Sequence, residues 1–113
     1  MSPASDIMPP GAQLEPRVRD AARLLKLMAN EPRLMILCKL GQGEQSVSAL
    51  SALIRLGQSA TSQHLSRMRA EGLVDTRREA QTIYYRISNP AASEVMATLC
   101  RAFDGPSNGQ GAA

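Results

Sequence analysis

At 113 residues, with 43% hydrophobic content and a formal net charge of +3, the chain has material for one modest core and none for a second domain. Its longest apolar run falls far short of the roughly 20 residues that cross a bilayer, and its first residues lack the basic-then-apolar order of a secretory leader, so a soluble cytoplasmic protein without membrane attachment is expected. Two widely separated cysteines exclude a disulfide scaffold and a zinc ribbon, and in a reducing compartment they pair only conditionally.

Met1 to Pro16 holds four of the seven prolines, and Asp104 to Ala113 is rich in Gly, Ser and Asn. Residues 1–16 and 104–113 are therefore expected as flexible tails around a folded unit spanning residues 17–103. The first helix is predicted from Arg17 to Ala29, with Val18, Ala21, Ala22, Leu24, Leu25 and Met28 as an apolar stripe. Asn30 caps a second helix with Pro32 in its first turn, and Leu34, Ile36, Leu37, Cys38 and Leu40 carry it to Gly41 and Gly43. Ser46 or Ser48 caps a short third helix that turns Leu50, Leu53 and Ile54 inward and stops at Leu56 and Gly57. Ser59 opens a fourth, with Thr61, Leu65 and Met68 inward at i, i+4 and i+7, closed by Gly72.

After Gly72 the period changes from helical to strand-like: LVDTRRE, a polar turn at Ala80 and Gln81, then TIYYRIS form a predicted hairpin. Asn89 and Pro90 start a last helix whose apolar face is Val95, Met96, Leu99, Cys100 and Phe103. The fold class is mainly α, in the order α-α-α-α-β-β-α. Two short helices joined by a tight turn and followed by a two-stranded wing describe a winged helix-turn-helix.

The outward side of the fourth helix carries side chains that both donate and accept hydrogen bonds at base edges: Gln58, Ser59, Ser62, Gln63, His64 and Ser66, with Arg67 able to reach a guanine or a phosphate. They cluster in the first turns of the second helix of the pair, where recognition helices meet bases. Between Arg55 and Arg86 lie six arginines against three acids, and guanidinium forks suit a phosphate backbone. Arg77 and Arg78 on the hairpin extend the candidate surface along double-stranded DNA. Polar helix faces are common, so a merely solvated face, or a winged helix that binds protein rather than DNA, stands as the alternative.

His64 is the only histidine, and no carboxylate near it in sequence completes a triad. Neither cysteine sits near a second strong ligand. No catalytic residue, metal site or cofactor is expected.

The stretch SATSQHLSRMRAEGLVDTRREAQTIYYRIS, Ser59 to Ser88, resembles the recognition helix and wing of ArsR-type (ArsR/SmtB) bacterial repressors, and LLKLMANEPRLMILCKL extends the resemblance upstream. The resemblance implies a homodimer formed mainly through the first and last helices, bound to a two-fold symmetric operator and released by an inducer. Metal-sensing members carry Cys-x-Cys near the third helix or Asp and His ligands on the last; here the equivalents are SVSAL and a last helix without histidine. REAQTIYY and the cysteine in LMILCKL are instead similar to the sulfide-responsive, biofilm- and haemolysin-regulating subgroup. There, a cysteine of the second helix and one at the end of the last helix bridge when reactive sulfur species or oxidants are present.

That resemblance implies a thiol switch made of Cys38 and Cys100. Alignment on TIYYRIS puts the subgroup's second cysteine near Asp104, one helical turn beyond Cys100, which affects bridge geometry more than fold. Thr61 stands where relatives commonly have an aliphatic residue. Cysteine is also among the most buried residue types, so Cys38 as inert packing within the same DNA-binding regulator is the competing reading.

Overall fold

In a computed structural model of the chain, Pro9 and residues 11–103 are described. The expected C-terminal tail and most of the expected N-terminal one lie outside the described residues. Residues 11–17 form hydrogen-bonded turns and a short 3-10 helix, Glu15–Arg17, that runs into helix α1, Val18–Met28.

The apolar residues of α1 do not form one stripe. Leu24, Leu27 and Met28 pack on the core, whereas Val18 and Leu25 stand 49% and 51% exposed, with Ala22 exposed between them. At about 100° per residue the two sets lie roughly a third of a turn apart, so α1 has two apolar faces and fills only one within the monomer.

Helix α2, Glu31–Gly41, starts where the Asn30 side chain accepts the Arg33 N–H at 3.2 Å, with Pro32 in the first turn. It buries Ile36, Leu37 and Leu40. Strand β1, Gln45–Ser46, follows and is absent from the sequence reading, because two residues display no period. Ser46, rather than Ser48, then caps α3, Val47–Ile54, accepting the Ala49 N–H at 3.2 Å. Leu50 is fully buried in α3 but Leu53, expected inward, is 49% exposed. Leu50 and Leu53 are three positions apart and a helix of eight residues presents one face to the core, so Leu53 is left on its flank.

Helix α4, Gln58–Ala70, begins one residue before Ser59, from Gly57, without a side-chain cap. Thr61, Leu65 and Met68 are all fully buried, as their spacing predicts. Burying a Leu or Met side chain contributes about 1.5–3 kcal/mol, which fixes the face that α4 turns outward. The helix closes with Gly72 at φ 82, and Leu73 N–H reaches back to the Met68 carbonyl at 2.8 Å.

Thr61 is a polar residue in an apolar place, and its hydroxyl donates to the Gly57 carbonyl at 2.9 Å. The same carbonyl also accepts the Thr61 N–H at 2.9 Å, so it keeps a partner if the hydroxyl is removed. Thr61→Val is therefore expected to change unfolding free energy by less than about 1 kcal/mol in a urea titration. Thr61→Ala, which opens a void beneath α4, is expected to cost about 1–2 kcal/mol.

Strands β2, Val74–Glu79, and β3, Thr82–Ile87, pair antiparallel from Val74↔Ile87 to Glu79↔Thr82, joined at Ala80 and Gln81. β1 adds to the other edge of β3, with Gln45 opposite Tyr85, giving the order β1-β3-β2. The last helix, α5, is Pro90–Phe103, with the Asn89 side chain accepting the Ala92 N–H at 3.0 Å. Ala92 and Met96 are buried and Val95 and Leu99 half-buried. Cys100 and Phe103, expected on that same face, are exposed, Phe103 at 81%. Ala92 and Met96 anchor the earlier turns of α5 in the core; its last turn has no such buried residue.

Candidate nucleic-acid interface and thiol pair

With Thr61, Leu65 and Met68 held inside, α4 points Gln58, Ser59, Gln63, Ser66 and Arg67 into solvent, with Ser62 half-buried between them. Gln58, Ser59, Ser62, Gln63 and Ser66 line one open groove together with Val47 at the start of α3. This is a continuous strip of amide and hydroxyl groups on a single helix face, with both donors and acceptors.

His64 is placed differently from the rest. It is half-buried, and its Nδ1 accepts from Arg33 Nε at 3.2 Å. Arg33 in turn donates through Nη1 to the Leu27 carbonyl at 3.0 Å. Burial, and then the positive charge of Arg33, hold the His64 pKa below its ordinary value, so at neutral pH the ring is uncharged with its proton on Nε2. One nitrogen pins α4 to α2 and the end of α1. Only Nε2 remains for a base edge. Arg33 is thus a positioning residue that the sequence reading missed, since nothing in its local pattern marks a contact spanning 31 positions.

The two wing arginines also separate. Arg77 donates to Glu44 at 2.7 Å and to Glu79 at 2.8 Å, and stacks over the Tyr84 ring at 4.9 Å. Its charge is offset by two carboxylates, and it ties β1's approach to the hairpin. Arg78 is exposed on β2 opposite Ile83 and has no ion-pair partner among the described residues.

Cys38 of α2 and Cys100 of α5 are both free thiols. They line one cleft of about 260 Å³ with Gln42, Ile87, Met96 and Ala97 among its walls. Cys38 is half-buried and Cys100 exposed. Burial pushes the Cys38 thiol up, the neighbouring Cys100 adds to that, and Lys39 opposes both. Among the described residues no three of His, Cys, Asp and Glu converge as a metal site would require.

The model of the bacterial regulatory protein arsR family matches residues 30–76, from the cap of α2 into the wing. The HTH-type transcriptional regulator YgaV of Escherichia coli is 49% identical over 78% of this chain and 90% of its own length. This chain belongs to the ArsR family. The ArsR regulator described here is also 46% identical to the transcriptional activator HlyU of Vibrio cholerae, over 80% of the chain and 84% of HlyU. It superposes on the reduced form of that protein with a TM-score of 0.76, covering 80% of this chain and 96% of HlyU's. The transcriptional repressor BigR of Xylella fastidiosa, at 37% identity, superposes with a TM-score of 0.75 over 80% of the chain and 93% of BigR. These relatives are transcriptional regulators and not enzymes, and the chain is a winged-helix transcriptional regulator. No helix among the described residues is long and apolar enough to cross a membrane.

Proposed function

We propose that this ArsR regulator is a cytoplasmic homodimeric repressor that reads a two-fold operator with Gln58, Ser59, Ser62, Gln63, His64, Ser66, Arg67 and the wing residues Arg77 and Arg78, and releases it when Cys38 and Cys100 react with reactive sulfur or an oxidant. The observation that carries the sensing part is the single cleft shared by two thiols from different helices. A solved form of the relative HlyU is described as reduced, which is in keeping with a redox-dependent reading of this chain. BigR is named a repressor and HlyU an activator, so the sign of regulation rests on the simplest physical route, in which a bound dimer blocks the promoter.

The difference in exposure supports one order of events. Cys100, facing solvent, meets an organic persulfide first: its thiolate takes the outer sulfur and the small thiolate leaves, giving a Cys100 persulfide. The Cys38 thiolate then attacks the inner, Cys100 sulfur and expels hydrosulfide, leaving a disulfide bridge. Attack on the outer sulfur instead transfers it, giving a Cys38 persulfide and a Cys100 thiolate. Once a second organic persulfide has converted Cys100 again, the Cys38 persulfide attacks the inner Cys100 sulfur and expels hydrosulfide, leaving a trisulfide bridge. Either bridge ties α2 to α5. Operator half-sites repeat at about 34 Å, so a shift of α5 that alters head spacing ends simultaneous engagement of both.

Because burial holds the Cys38 thiol protonated above the usual range, the closing step depends on the small thiolate fraction. Its rate is expected to rise about tenfold per pH unit across pH 6–8, as followed by quenched mass spectrometry. A rate independent of pH there removes Cys38 from the attacking role.

The test pairs intact mass with binding to a duplex selected from a randomised library, for wild type, Cys38→Ser and Cys100→Ser, before and after glutathione persulfide. Sulfur addition or bridging with DNA release in wild type alone supports the switch. Modification without release makes both cysteines inert packing in a DNA-binding regulator. A promoter-reporter assay settles repression against activation, and failure to bind any duplex leaves the protein-interaction reading.

A further inference from the structure

Beside the reading face, a cleft of about 230 Å³ brings together Arg23 and Lys26 of α1, Arg33 of α2, Arg67 of α4 and Glu71 just past its end, around Leu27. Four cations face one carboxylate. Glu71 is engaged with Arg23 at 3.4 Å, and Arg33 spends Nε and Nη1 on His64 and Leu27. The side chains of Lys26 and Arg67 have no hydrogen-bond or ion-pair partner among the described residues. Like charges gathered in a concave site repel one another and focus a positive potential, an arrangement that is relieved by an anion.

We infer that this cleft holds a phosphate of the operator backbone, immediately outside the bases that α4 reads. The assignment rests on the DNA-binding reading above, and the position of Arg67 connects the two. Arg67 lies one helical turn beyond Gln63 on α4, so the cleft continues the reading face without a break. A helix lying in the major groove has a sugar–phosphate strand along its edge, and guanidinium forks match phosphate oxygens while lysine adds a point charge. Arg67 therefore meets a phosphate rather than a guanine. Arg23, Lys26 and Arg33 extend the DNA footprint to α1 and the start of α2. The contact would set register and affinity and leave sequence preference unchanged.

The probe is the full chain binding a library-selected duplex and a random-sequence duplex across a salt series, with Lys26→Gln as the main variant. Lys26 is exposed and unpartnered, so its replacement leaves the core untouched. Losing one phosphate contact is expected to flatten the log–log salt slope by about 0.9 per bound subunit and to weaken binding about fivefold per subunit near 0.15 M salt, equally on both duplexes. Lys26→Arg should restore the slope. Methylphosphonate at the contacted position should weaken wild type and have little further effect on Lys26→Gln, a coupling that distant charge loss does not produce. An unchanged slope in Lys26→Gln, with wild type binding normally, overturns the cleft assignment and leaves the DNA reading standing. Saturable binding of inorganic phosphate without DNA, lost in Lys26→Gln, reassigns the cleft to a free anion and overturns the backbone contact. Wild type that binds neither duplex removes both readings together.

Discussion

Gln63→Ala is expected to weaken binding to the selected operator by about 2–6 kcal/mol per dimer, since each bidentate base contact discriminates by about 1–3 kcal/mol and the dimer makes it twice. The loss should be confined to the selected operator and spare random duplex. Gln63 is exposed on α4, on the side opposite the buried Thr61, Leu65 and Met68, and nothing in the fold depends on its side chain. Its amide both donates and accepts, the combination that reads adenine in the major groove. Arg67→Ala supplies the contrast: a phosphate contact lowers affinity on every sequence and reduces the salt slope, without changing the preference. The paired comparison is read by titrating both duplexes at several salt concentrations. If Gln63→Ala weakens both duplexes equally, or neither, Gln63 does not read bases and the orientation of α4 on DNA has to be reconsidered.

The polar outward face of α4 was legible in the sequence because it is the complement of a short periodic pattern. Once Thr61, Leu65 and Met68 are inside, the geometry of a helix puts Gln63 and Arg67 outside. What stayed hidden was carried by long-range contact. Strand β1 is too short for its two residues to show a period, and it exists only because β3 offers an edge. That one ring nitrogen of His64 is already engaged was not visible, because Arg33, which occupies its Nδ1, is remote in sequence. Arg77 and Arg78 look alike in the string, yet alternation along β2 gives Arg77 two carboxylates and an aromatic ring while Arg78 stands clear. The pairing of Cys38 with Cys100 came from family resemblance, and their common cleft depends on how α5 crosses α2, which neither cysteine's neighbours specify. The two apolar sides of α1 were merged into one stripe for a related reason: which apolar residues meet the core is decided by distant elements, and sequence shows only that the residues are apolar.

That second side of α1 leads to the other large expected effect. Val18 and Leu25 are about half exposed, Leu14 is 50% exposed just before them, and Phe103 at the end of α5 is 81% exposed. Isolated exposed apolar residues are ordinary, but Val18, Ala22 and Leu25 form a stripe at i, i+4 and i+7 on one helix, a surface suited to being covered. In the proposed homodimer a second copy of the chain, joined through α1 and α5, would cover it symmetrically, and the two α4 helices could then face successive major grooves. Leu25→Asp combined with Phe103→Asp should leave the monomer folded, because neither side chain contributes to the core, and far-ultraviolet circular dichroism should be unchanged. Each change places charge where the partner's apolar face would lie, so sedimentation velocity is expected to show monomer at micromolar concentration. DNA binding should fall by about 10²–10⁴-fold, the loss that follows when a tethered second contact becomes an independent one. The fall should exceed that of Gln63→Ala on random duplex, where no base reading is at stake. If the double variant remains dimeric and holds DNA as wild type does, α1 and α5 do not form the interface. The same bridge between Cys38 and Cys100 would then have no route to the reading heads through the dimer, so this experiment tests the structural premise of the switch as well as the assembly.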